Sequence, residues 1–82
     1  PGDPMLEGEY KGQRKHGLWV EWWKSGRVKS RIGYRLGKPH GQHTVWHDNG
    51  RKDVEGKMKQ GKRVGKWIWR DKKGQVIRTQ VY

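Results

Sequence analysis

The chain has 82 residues, 29% of them hydrophobic and none of them Phe, which allows one small domain with a thin core and excludes a large enzyme-like interior. A formal net charge of +12 opposes compaction and favours encounters with anions: nucleic acid, acidic lipid or an acidic protein surface. No Cys is present, so disulfides and thiolate metal sites are excluded, and no apolar run reaches membrane-spanning length.

The opening "PGDPM", residues 1–5, reads as a tag remnant or disordered start, with Met5 as the first native residue. Residues 6–82 read as a single domain. A first strand is expected over 6–11, followed by the long basic turn "KGQRKHG" and a second strand over 18–23. "WKSGRV" then turns the chain into a strand over 27–35, and "LGKPHG" leads to one over 42–47. "HDNGRK", with the hairpin dipeptide Asn49-Gly50, precedes a strand over 51–59. "QGKRVG" and "DKKGQV" introduce the last two, over 66–71 and 75–82. The runs between turns are short and rich in Trp, Val, Ile, Tyr and Thr, which suit a pleated surface, and no window supports a helix.

Subtraction exposes a period. Gly17, Gly41 and Gly65 are 24 residues apart, as are Gly26, Gly50 and Gly74, and as are Tyr10, Tyr34, Met58 and Tyr82. Three ungapped copies follow, about 8–31, 32–55 and 56–82. The expected fold is all-β: a single-layer antiparallel meander of three 24-residue β-hairpins, with about seven strands.

A two-residue turn at Asn49-Gly50 places Val45 opposite Val54 and His43 opposite Gly56; the same register in the first copy pairs Trp23 with Val28 and Trp19 with Ile32. One face then gathers Trp19, Trp23, Val28, Ile32, Tyr34, Val45, Val54, Met58, Trp67, Trp69, Val76 and Tyr82. The other carries Trp22 and Trp46 among Lys29, Arg31, Lys57 and Arg70.

The segments "GYRLGKPHGQHTVWHDNG" (33–50) and "GEYKGQRKHGLWVEWWKSG" (8–26) resemble the MORN repeat in its bacterial variant. The third copy, "GKMKQGKRVGKWIWRDKKG" (56–74), keeps the glycines and Trp67 but has Met58, Val64 and Arg70 in place of the Tyr, His and second Trp. The resemblance implies a curved single-layer sheet of successive hairpins used for protein interaction, scaffolding or membrane association. Some proteins of that variant carry the label of antitoxin.

Catalysis and metal binding find little support. His43 and His47 would lie about 13 Å apart on a strand, too far for joint chelation. The carboxylates sit among Lys and Arg as salt-bridge partners, so no enzyme activity, cofactor or metal is expected. The informative feature is the basic turns. Arg14 and Lys15, then Lys38, then Lys62 and Arg63 should emerge at one end of the meander as a one-signed ridge. Trp22 and Trp46 form an aromatic strip flanked by Lys29, Arg31 and Arg70, expected beside that ridge. The first expectation is a non-catalytic module docking an acidic protein surface; nucleic acid, an acidic membrane surface and an antitoxin or immunity role are the alternatives. Open sheet edges at 6–11 and 75–82 further imply a homodimer or edge-paired oligomer, and a cytoplasmic location is favoured.

Overall fold

The computed structural model describes residues 6–82, so the expectation for 1–5 lies outside the described residues. The strands are β1 (Leu6–Lys11), β2 (Arg14–Trp22), β3 (Val28–Arg35), β4 (Lys38–Trp46), β5 (Lys52–Lys59), β6 (Lys62–Arg70) and β7 (Val76–Val81). They lie in chain order in one antiparallel sheet, as the sequence predicts. Principal extents of 39 × 35 × 9 Å make it a single layer with little bowing.

The turn types are the reverse of the sequence expectation. The basic turns are the tight ones. Lys11 pairs with Arg14, Arg35 with Lys38 and Lys59 with Lys62, leaving two loop residues in each hairpin. Leu36 and Gly37 (φ 51° and 84°) and Gln60 and Gly61 (φ 51° and 84°) are all left-handed, the geometry whose twist matches the flanking strands. Strands β2, β4 and β6 therefore begin at Arg14, Lys38 and Lys62, four residues before the predicted 18, 42 and 66. Gly17, Gly41 and Gly65, expected to close the turns, instead lie inside the strands at positive φ, beside bulges.

The turns expected to be two-residue have three. His47 N donates to Arg51 O and Gly50 N to His47 O, with Gly50 left-handed at φ 89°. Trp23/Arg27 and Asp71/Gln75 close their loops in the same way. A compensating bulge just beyond each loop restores the inner register, so Val45 still faces Val54, His43 faces Gly56 and Trp19 faces Ile32. Next to the loops the expectation fails: Trp22, not Trp23, is opposite Val28, and Arg70 is opposite Val76. Val28 and Val76 thus belong with Trp22 and Arg70, not on the Trp19 face.

Two indoles anchor the sheet. Trp19 is 6% and Trp67 1% exposed, and burial of each is worth roughly 4–6 kcal/mol. Each lies flat over a glycine of the neighbouring strand: a Cβ on Gly8 would stand 2.1 Å from the Trp19 ring, and one on Gly56 2.2 Å from that of Trp67. Each also donates Nε1–H to a backbone carbonyl, Trp19 to Glu9 (3.0 Å) and Trp67 to Lys57 (3.1 Å). The middle copy solves the same packing differently. There Ile32 takes the glycine position and His43 the Trp position, directly paired, so a larger side chain on one strand meets a smaller ring on the next.

Candidate functional site

Each of six consecutive strands ends in an exposed cation: Lys11, Arg14, Arg35, Lys38, Lys59 and Lys62. They form three cross-strand pairs, and every pair is like-charged. Like charges directly opposite one another destabilise a hairpin, by about 0.2–1 kcal/mol per pair. The four ion pairs among the described residues are Lys29–Glu21, His47–Asp53, Lys52–Glu55 and Arg70–Glu55, and none involves these six cations.

The row is stepped. Gly17 pairs with Tyr34 and Gly41 with Met58, which sets each hairpin back by two residues from the one before. Backbone positions along the row are then about 5 Å apart within a hairpin and about 8 Å apart between hairpins, spanning about 27 Å in all. The steps are pinned. Gly37 N donates to Lys15 O (2.9 Å) and Gly61 N to Pro39 O (2.8 Å), tying each tight turn to the preceding hairpin. The aliphatic stem of Arg14 lies across Gly37, with its Cβ 3.5 Å from where a Gly37 Cβ would be. At this first step Arg14, Arg35, Leu36, Lys38, His40 and Gln60 line an open cleft of about 410 Å³, where Gln60 N donates to His40 Nδ1.

Of the predicted ridge, Arg14, Lys38 and Lys62 stand in this row. Lys15 and Arg63 do not join it, because strand alternation turns them onto the aromatic face. The Lys15 ammonium sits 4.8 Å from the Trp19 ring and 5.0 Å from Tyr34. Arg63 covers Trp67, Trp69 and Tyr82 at 4.9, 5.7 and 5.6 Å, and donates to the Tyr82 hydroxyl. These two cations roof the buried indoles. Lys11, Arg35 and Lys59 were missed in the sequence because they precede the turns and read as ordinary strand residues. The signal was the two-residue turn, which makes them the partners of Arg14, Lys38 and Lys62.

The aromatic strip is not beside the row. Trp22 and Trp46 lie at the other end of their strands, roughly 26 Å from Arg14 and Lys38. Arg31 does stack there, 5.5 Å from the Trp46 ring. Lys29 is on the opposite face, 4.8 Å from the Trp23 ring and 3.7 Å from Glu21, and Arg70 is held by Glu55.

Two arginines at that loop end lie against the neighbouring turn. Arg51 Nη1 donates to Lys73 O and lies 3.1 Å from a Cβ on Gly74, while Arg27 Nη1 lies 3.2 Å from one on Gly50. Asn49 bridges its own loop, accepting from Arg51 N, to the next, donating to Lys72 O. Among the described residues no three His, Asp or Glu side chains are grouped to hold a metal ion.

The proton affinity of His43 is perturbed. Burial lowers its pKa below the ordinary 6.5, and the nearby Arg63 guanidinium lowers it further. Its ring is tilted against Trp67 at 5.1 Å, and its Nδ1 is buried with no hydrogen-bond partner.

No family model, curated protein or solved structure matches the chain.

Proposed function

We propose that the protein is a non-catalytic interaction module that docks an acidic macromolecular partner along the cationic row at its tight-turn end. The observation that carries this reading is the closing of three successive hairpins on like-charged pairs. Such pairs oppose the isolated fold, and an anion laid across them relieves the repulsion. Local conflict of this kind in an otherwise consistent structure is characteristic of a binding surface. The other end supports the contrast, since Arg51 there already donates to Lys73 O of the neighbouring turn.

The same reading takes the chain as a MORN-like array. A single layer of successive hairpins is the architecture which that resemblance implies, though the sheet is flatter than the curved one it leads one to expect. No feature of the surface favours the antitoxin role.

Retention on immobilised heparin, a generic polyanion, tests the docking surface. Replacing Arg14, Lys38 and Lys62 by Glu lowers the formal charge by six, and so does replacing Lys24, Lys72 and Lys73 by Glu at the other end. The first variant should elute at clearly lower salt than the second. Equal elution of the two would show that net charge, not the row, does the binding.

A further inference from the structure

We infer that the partner of the row is a single-stranded polynucleotide, held through its phosphates and without reading of base sequence. This rests on the docking reading above. Three observations favour a nucleic-acid strand over an acidic protein.

The first is composition. The centre of a protein interface is depleted in Lys and needs aromatic or aliphatic anchors to supply affinity. Here the row is all Lys and Arg, four and two, and the only apolar side chain lining its cleft is Leu36. Trp22 and Trp46, the aromatics that would anchor a protein partner, are at the far end of the sheet.

The second is spacing. A line of single cationic residues whose backbone positions are alternately about 5 and 8 Å apart is comparable with successive phosphates of a stretched single strand. The line is a staircase with a constant direction of set-back, and the glycine-to-carbonyl bonds hold its steps fixed. A flexible strand can follow such a diagonal over its whole length. A duplex, whose backbone winds around its axis, meets only part of it.

The third is chemical gradation along the row. The first step presents two guanidiniums, Arg14 and Arg35, with His40 between the turns. The positions 24 residues further on are Lys38, Lys59 and Val64. Planar guanidiniums can take one phosphate in a forked grip, whereas ammonium groups act as point charges. The cleft therefore anchors one phosphate and the lysines follow the chain beyond it. With Tyr10 edge-on to Trp19 on the other face and His40 the single ring in the cleft, the contacts are chiefly to backbone, and discrimination between sequences is small.

Fluorescence anisotropy with a mixed-sequence 20-nucleotide single strand tests this, alongside the matching duplex, a polyglutamate peptide and anionic phospholipid vesicles. Five phosphate contacts on a single strand, one in the cleft and one at each lysine, give a logarithmic salt slope of about −3.5, so affinity should fall roughly 130-fold between 50 and 200 mM salt. Arg14→Lys with Arg35→Lys keeps the charge and should leave that slope unchanged while weakening binding about tenfold. The Lys24/Lys72/Lys73→Glu variant should bind with the slope intact. Tighter or equal binding of duplex, polyglutamate or vesicles overturns the single-strand assignment and leaves the docking surface standing. Heparin retention with no binding of the oligonucleotide does the same. Failure to bind every one of these probes, heparin included, removes both.

Discussion

The two ends of the sheet are built from similar residues and put them to opposite use. At the loop end, Asn49 and Arg51 grip the neighbouring turn, Arg27 lies against Gly50, and Asp71 caps its own loop, accepting from both Lys73 N and Gln75 N. Polar groups there stabilise the fold. At the tight-turn end, two-residue loops leave no room for such side chains, and the pairs next to them are like-charged and exposed. The difference is one of loop length. A three-residue loop has amides that a side chain can cap, while a two-residue turn satisfies itself through backbone geometry and leaves its flanking side chains free for a partner.

The largest expected effect lies between the ends and sets the scale for both. Gly56→Ala puts a methyl group 2.2 Å from the Trp67 ring, which must leave its bed; a loss of about 3 kcal/mol and a broadened melting transition should follow. At the loop end, Asn49→Ala removes hydrogen bonds of 2.7 and 3.0 Å and should lower stability by about 1–2 kcal/mol in urea denaturation. An unchanged midpoint would show that the loop end is no better tied than the other. At the tight-turn end, Arg14→Glu with Lys38→Glu and Lys62→Glu makes each pair attractive. That variant should melt higher in low salt by about 4 °C, corresponding to roughly 1 kcal/mol in all. Polar substitutions would then act with opposite sign at the two ends; a lower melting temperature would erase the contrast.

The smallest effect is a pH dependence from His43. Its folded pKa lies below the ordinary 6.5, so its contribution to stability is complete above that value. As pH falls below 6.5 the unfolded chain takes up the proton first, and stability declines until the lower folded pKa is passed. Thermal melts from pH 7.5 to 5 should show this slope reduced in His43→Gln. Identical slopes would place the titration elsewhere.

Much of the fold was legible in the residues. The 24-residue period, the alternating apolar strands and the turn glycines together predict an all-β meander, and the inner pairs Val45–Val54 and Trp19–Ile32 were predicted correctly. Turn length was not legible, because a glycine marks a left-handed residue without saying how many others share its loop. Asn49-Gly50 reads as a two-residue turn, yet here Gly50 closes a three-residue loop, and a bulge absorbs the difference. The candidate site suffered from the same ambiguity. Lys15 and Arg63 look like turn cations only while the turn is taken to be long; in the tight turn they are the second strand residues, and alternation sends them over Trp19 and Trp67.

The sequence by itself determined that the chain forms strands, that they follow one another as hairpins, and that positive charge recurs at fixed intervals. Those properties are local or linear: side-chain pattern and turn glycines are present in a single copy, and the period is read by setting one copy against the next. Which cations share a surface was decided only by the tertiary structure, since it depends on register, on the two-residue set-back between hairpins and on the side of the sheet each residue faces. A one-residue change in a turn reverses that last choice, and only the assembled sheet fixes it.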